Sequence, residues 1–290
     1  MTVASHTHTL KASRRRAHII DVLIEERAPT LAASAVWPLL RPLLYSVLDY
    51  HKAVRMVDAI AGLPGAAALD YVSRQLRLQV TVRGLDHVPS TGRAVVICNH
   101  PTGIADGIAI YDALKPRRPD LCLYANSDAH RVSPRFSDVL IPVEWQETKR
   151  TREKTRETLI RTREAMEAER CLVIFPAGRL ARRQPDGELS DPVWQPTAVS
   201  LARKYEAPVV PMHLSGPWSG LFHLFNRVSG ELRDVTLFHE FLNKQGRAFS
   251  LTVGRPISPD GLDGDPAEVT LRLKAYVESG IVANPDLAFT

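Results

Sequence analysis

AVVICNHPTGIADGIAIYDAL, residues 94–114, is the stretch on which the reading of the fold turns. Five apolar residues run without interruption from Ala94 to Cys98. The chain then breaks at Asn99, passes through Pro101 and Gly103, and resumes as a helix near 106–114. A short continuous apolar run is the pattern of a strand buried on both faces. A second stretch, CLVIFPAGRLARR at 171–183, follows the same plan of buried strand and abrupt proline–glycine turn.

Working outward, LRLQVTVRGL alternates Leu78, Val80 and Val82 with Arg77, Gln79, Thr81 and Arg83, which predicts a half-exposed strand. Further strands are expected at 121–125, 207–214, 233–239 and 248–254, and 139–143 is a further apolar run. Helices are expected at 147–169, 193–204, 218–228 and 266–279, the first with Thr155, Leu159, Thr162 and Met166 as its apolar stripe. Strands alternating with helices imply an α/β fold, a mostly parallel central sheet flanked by helices. Before it, 18–75 reads as an N-terminal helical extension in pieces near 18–27, 34–50, 51–61 and 65–75, separated by Pro29, Pro38, Pro42 and Pro64. The expected organisation is a basic arm and helical segment over 1–75, an α/β domain over 76–260 and a C-terminal helix packing on it over 261–290.

The 290 residues are 44% hydrophobic and 24% charged, which excludes a disordered chain, and the net charge of +5 favours an acidic partner. Arginine and lysine alternate with glutamate along 147–169 and no nucleic-acid recognition motif occurs, so a nucleic-acid partner is not expected. Cys98, Cys122 and Cys171 sit in or beside apolar runs and read as reduced core residues. No cysteine–histidine metal spacing is present, and His6 and His8 on the polar arm read as incidental. The N-terminus lacks the apolar core of a signal peptide. The longest uncharged stretch, Ala28–Leu40, falls short of the roughly 20 residues needed to cross a bilayer. Neither a P-loop nor a nucleophile elbow occurs, and FHEFLN at 238–243 lacks the second histidine of a zinc-protease helix.

Ligands of open α/β sheets bind beyond the carboxyl ends of the strands, which directs attention to the two turns. In the first, His100 follows the strand and Asp106 opens the helix, an arrangement that lets a carboxylate hold an imidazole in one tautomer as a general base. Asp106 could equally cap the helix. Asn99 could hold the turn or bond to substrate, and Gly103 permits close backbone approach. In the second turn Gly178 stands beside Arg179, Arg182 and Arg183, a combination suited to an anionic group.

Taken together, these segments resemble the glycerophospholipid acyltransferase superfamily, the fold of 1-acyl-glycerol-3-phosphate acyltransferases. NHPTGIADG is similar to its first block, FPAGR to its phosphate-contacting block, and APVVPMHLSG to its late proline block. VRGLDHVPSTGRAVVICNHP resembles the lead-in, and the likeness covers about 76–260. The resemblance implies that His100 deprotonates an acceptor hydroxyl, that Asp106 orients His100, that Gly178, Arg179 and Arg182 meet the acceptor's anionic head, and that Pro211 shapes the site wall. Asn99 and Gly103 complete the expected substrate-binding set. It implies acyl-CoA or acyl-ACP as co-substrate, a lysolipid acceptor, and no bound cofactor or metal.

Departures from the pattern point to a side branch. Five residues separate His100 from Asp106, as in the hemolysin-like and acyl-ornithine acyltransferases. Ala177 replaces the usual glutamate, Leu180-Ala181 replaces a Thr-Arg-Ser continuation, and Arg135 is the nearest basic residue for the intermediate block. The resemblance also gives Trp37, Leu39, Leu40, Leu43, Leu44 and Tyr45, with Arg41 and Lys52, an expected place at a membrane surface. The protein is thus expected in the cytoplasm, peripherally associated with the inner face of the cell membrane. The rival expectations are a thioesterase-like hydrolase with water as acceptor and a non-catalytic lipid-binding protein of the same fold.

Overall fold

A computed structural model describes residues 17–144, 149–183, 189–218 and 220–290. The expected arm, with His6, His8 and Arg14–Arg16, lies outside the described residues.

The chain begins with helices α1 (Ile19–Arg27), α2 (Pro29–Ala32), α3 (Trp37–Val47), α4 (Tyr50–Ile60) and α5 (Gly65–Leu76). The domain then runs β1 (Gln79–Arg83), β2 (Ala94–Cys98), α6 (Ile104–Leu114), β3 (Cys122–Asn126), α7 (Asp128–Val132), β4 (Leu140–Val143), α8 (Arg152–Glu167) and β5 (Cys171–Ile174). A two-stranded hairpin follows, β6 (Arg182–Arg183) with β7 (Leu189–Ser190), then α9 (Thr197–Lys204) and β8 (Val209–Ser215). The last elements are α10 (Gly220–Val228), α11 (Gly230–Val235), α12 (Leu237–Leu242), β9 (Ala248–Val253) and α13 (Pro266–Ala275), which widens into a π turn at Tyr276–Gly280.

Among the described residues the main sheet has seven strands in the order β1-β9-β8-β2-β5-β3-β4. Every pairing is parallel except β8 with β9. The two continuous apolar runs become the central neighbours β2 and β5, wholly buried, while the alternating β1 lies at an edge. Strand alternation sends successive residues to opposite faces. Val96, Cys98, Val173 and Met212 therefore pack against α5 and α6 through Leu69, Val72 and Ile108. Val95, Ile97, Leu172 and Ile174 pack against α8, α9 and α13 through Met166, Val199 and Leu273. The three cysteines are buried and unpaired, as their apolar surroundings predict.

Two expectations need correction. Residues 233–239 form no strand; they belong to α11 and α12. Ser229 caps α11 by accepting from the Leu232 N–H, and Val235, Phe238 and Phe241 then recur at a spacing of three, so burial on one helical face overrides the β-favouring Val-Thr-Leu-Phe content. On α8 the buried stripe is Thr162, Ala165 and Met166, and Leu159 is 61% exposed.

The chain before β1 shares its core with the domain. Ile60, Leu69, Val72 and Leu76 join the sheet-facing cluster, and Ile20, Ile24, Trp37, Leu44 and Tyr45 form a further cluster with Val235 of α11. The expected interfacial residues of α3 consequently divide: Trp37, Leu44 and Tyr45 turn inward, whereas Leu39 is 83% and Leu43 63% exposed. Val36 and Val47 extend that exposed row by one turn on either side.

Candidate active site

The strand order brings the two turns together. After β2 the chain moves outward through α6 to β3 and β4, and β5 returns into the gap between β2 and β3. Ile97 lies opposite Ile174, so the loops leaving β2 and β5 emerge side by side.

In the first loop, Oδ2 of Asp106 lies 2.9 Å from Nδ1 of His100. Asp106 is fully buried, and His100 keeps some exposure. The same Oδ2 accepts the N–H groups of Thr102 at 2.9 Å and Gly103 at 3.0 Å, and the Thr102 hydroxyl donates to Oδ1. Both roles open to Asp106 in the sequence are thus filled by one carboxylate: it caps α6 and partners the imidazole. Because a carboxylate only accepts, Nδ1 carries the proton and the bare Nε2 is left for another partner. Phe175, the first residue after β5, stacks on the imidazole with centroids 4.3 Å apart. Thr102 and Phe175 were not singled out in the sequence, although both stand inside the two blocks that were.

The His100 peptide is held from the second loop as well. Its N–H donates to both carboxylate oxygens of Asp191, at 3.1 and 3.2 Å, and its carbonyl accepts from the Ala181 N–H at 2.9 Å. Asp191 also accepts from Nε1 of Trp194 at 2.9 Å, and burial pushes its carboxyl up to about 6.

Gly103 sits at φ +105°, where a Cβ would come within 3.0 Å of Leu180. Gly178 sits at φ +61° with open space around it, and closes a turn by donating to the Phe175 carbonyl. Glycine is favoured there by conformation alone.

His100, Gly103, Phe175, Gly178, Arg179 and Arg182 all line one cavity of about 1570 Å³. Its apolar wall comes from Met56, Val57 and Ile60 of α4, Leu69 and Val72 of α5, Ile108, Leu123, Leu140, and Phe238 and Phe241 of α12. Arg27, Arg227 and Arg233 line it too, and sequence reading missed them because their helices are remote in the chain. The volume exceeds the roughly 300–1,000 Å³ of an ordinary small-ligand cleft.

Three expected residues lie elsewhere. Asn99 turns both ends of its amide to the Leu214 backbone, donating to the carbonyl at 2.9 Å and accepting the N–H at 2.7 Å; it holds the turn. Pro211 is buried beside Ile97 in β8, on the strand face shared with Val209, and is not among the cavity's lining residues. Arg135 is exposed in the turn before β4 and is not among the cavity's lining residues, although Phe136 beside it is.

Comparison with known proteins finds similarity to acyltransferases. A model of the Acyltransferase family matches residues 79–215, from β1 to the end of β8. A lyso-glycine lipid O-acyltransferase of Phocaeicola vulgatus is 26% identical over 199 residues, which cover 67% of this chain and 69% of the relative. The protein of the same name from Bacteroides thetaiotaomicron is 24% identical over 199 residues, 67% of this chain and 71% of its own length. The crystal structure of the 1-acyl-sn-glycerophosphate acyltransferase PlsC from Thermotoga maritima aligns with a TM-score of 0.46 and 14% identity, over 92% of this chain and all of that one. The family match contains both turns and the strands that carry them, so residues 79–215 are similar to the Acyltransferase family, and the two relatives that cover two thirds of the chain are O-acyltransferases.

Proposed function

We propose that the protein transfers a fatty acyl group from an acyl thioester, acyl-CoA or acyl-ACP, to a hydroxyl of a lysolipid acceptor. The observation that carries this reading is the His100–Asp106 pair, with His100 in the wall of a large, mostly apolar cavity. Nε2 of His100 takes the acceptor's hydroxyl proton, and the oxygen attacks the thioester carbonyl. The tetrahedral intermediate collapses with loss of the thiolate, which receives the proton from the imidazolium. Asp106 keeps the imidazole in the tautomer that leaves Nε2 bare and balances the charge that develops on it. No residue of the chain is acylated in this scheme.

Arg179 and Arg182 line the same cavity as His100, which supports an acceptor with an anionic head. The relatives' names support a lysolipid of the lyso-glycine lipid kind. Apolar lining of this extent supports an acyl chain as the ligand, at about 0.8 kcal/mol for each methylene buried.

Access to such substrates would come from peripheral association with the inner face of the membrane. Among the described residues no helix is long and apolar enough to cross a bilayer. The exposed row Val36, Leu39, Leu43 and Val47 supports α3 lying in the interface. Arg41 is ion-paired with Asp21 at 2.8 Å, and Lys52 with Asp49 at 2.7 Å, so apolar insertion is the larger contribution.

The test is incubation of the purified protein with labelled acyl-CoA or acyl-ACP and a panel of acceptors: lyso-glycine lipid, acyl-ornithine and lysophosphatidate. The expected result is an esterified lipid with at least one of them, reduced roughly 10²–10⁴-fold by His100→Ala. Thioester consumption that yields free fatty acid regardless of acceptor would favour a hydrolase. Lipid binding without turnover would favour the non-catalytic reading.

A further inference from the structure

We infer that Asp191 is a positioning residue for the reaction, fixing the main chain of His100 so that its imidazole meets Asp106 and the acceptor together. This inference rests on the acyl-transfer reading above. It begins from a segment that no motif contains: Asp191 follows the β6–β7 hairpin and is 91 residues from His100 in the chain.

Three observations carry it. Asp191 is 5% exposed, yet both its oxygens lie within hydrogen-bond distance of one backbone N–H, that of the candidate base. A buried carboxylate is expensive to keep unless it is held by donors, and here the donors are the His100 N–H and the Trp194 indole. The Ala181 N–H grips the carbonyl of the same residue. Both polar groups of the His100 main chain are therefore anchored to the segment after β5, while its side chain is anchored to α6. A displacement of the peptide would swing the imidazole relative to Asp106, whose own position is set separately by Thr102 and Gly103.

Asp191 is itself braced from the C-terminal helix. Its N–H donates to Glu278 at 3.0 Å, and Lys274 reaches Glu278 at 2.7 Å. The charged and titratable groups that bear on it are His100, Glu278, Lys274 beyond Glu278, and on the strand side Asp106 and the Cys98 thiol, whose own ionisation both aspartates oppose. Burial and the Glu278 charge push the Asp191 carboxyl up to about 6, and the His100 and Trp194 donors pull against them. Asp191 therefore loses its charge as the pH falls through about 6.

The sign of the resulting pH dependence is fixed. A working base needs a neutral His100, and an anchored His100 needs a charged Asp191. Both must have lost a proton, so the acid limb of log kcat should be steeper than one around pH 6, where Asp191 takes up its proton. Asp191→Asn keeps the shape and one acceptor oxygen but cannot titrate. It should lower kcat roughly 10- to 100-fold, the scale of a small misplacement of a catalytic group. It should leave KM for donor and acceptor within about threefold, and reduce the slope to one.

Two neighbours extend the test without altering the carboxylate. Trp194→Phe removes a donor and should move the limb to higher pH, whereas Glu278→Gln removes a repelling charge and should move it to lower pH. A slope steeper than one retained in Asp191→Asn at undiminished kcat, or the two neighbour variants moving the limb in the same direction, would overturn the inference. Circular dichroism at each pH separates loss of fold from loss of rate. Should Asp191→Asn fail to fold, Trp194→Phe and Glu278→Gln still decide. A wild-type protein with no transferase activity would instead overturn the acyl-transfer reading and the inference with it, so the two failures are distinguishable.

Discussion

Asp106→Asn should slow acyl transfer roughly 30- to 900-fold while leaving the start of α6 intact. The carboxylate is fully buried and takes four donors, three of them on Oδ2. An amide oxygen at the Oδ2 position still accepts from His100, Thr102 and Gly103. The new NH₂ then faces the Thr102 hydroxyl, which can rotate to accept it. Imidazole tautomer and helix cap both survive, and the lost quantity is the charge beside the developing imidazolium. Exchanging a charged for a neutral acceptor removes about 1–1.5 kcal/mol. A full charge pair with its centres about 4 Å apart is worth about 4 kcal/mol at an effective dielectric constant of about 20, which is the upper bound on the whole effect. A barrier increase of about 2–4 kcal/mol corresponds to the quoted range.

Asp106→Ala provides the contrast. It leaves the Thr102 and Gly103 N–H groups buried without an acceptor, at about 1–3 kcal/mol each, and should lower the melting temperature as well as the rate. Initial rates of ester formation together with differential scanning calorimetry make both comparisons. An Asp106→Asn protein with kcat within about threefold of wild type and a normal melt would refute the reasoning, because the charge would then contribute nothing to the reaction.

Gly103→Ala, at φ +105° and against Leu180, should destabilise by more than Gly178→Ala, which meets open space and incurs only about 1–2 kcal/mol of left-handed strain; thermal melts rank the pair. Val72→Trp, which fills part of the apolar cavity, should shift preference toward shorter acyl chains, by about fourfold in kcat/KM for each methylene excluded, read from competition between donors of different length. Leu39→Asp with Leu43→Asp should weaken co-sedimentation with anionic liposomes at least roughly tenfold without changing the melt, since both side chains are exposed.

The α/β architecture was legible because each signal was local. AVVIC and CLVIF are short apolar runs ended by turn residues, and they became the two central strands. His100 and Asp106 were legible for the same reason: both lie within one strand–loop–helix unit, where spacing determines contact. The errors share a cause in long-range packing. Residues 233–239 carry β-favouring side chains, yet α1, α2 and α4 offer that segment a helical seat that no local window displays. Pro211 was assigned by block position and Asn99 was left between holding the turn and bonding to substrate, because their partners, Ile97 and Leu214, are settled by strand order. Asp191 gave no signal beyond a nearby tryptophan, because its role depends on a contact across 91 residues.

The central claim is tested most directly by mass-spectrometric analysis of the lipid product formed by wild type and His100→Ala from one acyl thioester and one lyso-glycine lipid acceptor. The account predicts an acceptor heavier by one acyl chain, ester-linked at its hydroxyl, formed by the wild type and suppressed in the variant. Free fatty acid as the sole acyl product, released equally with and without acceptor, would contradict it.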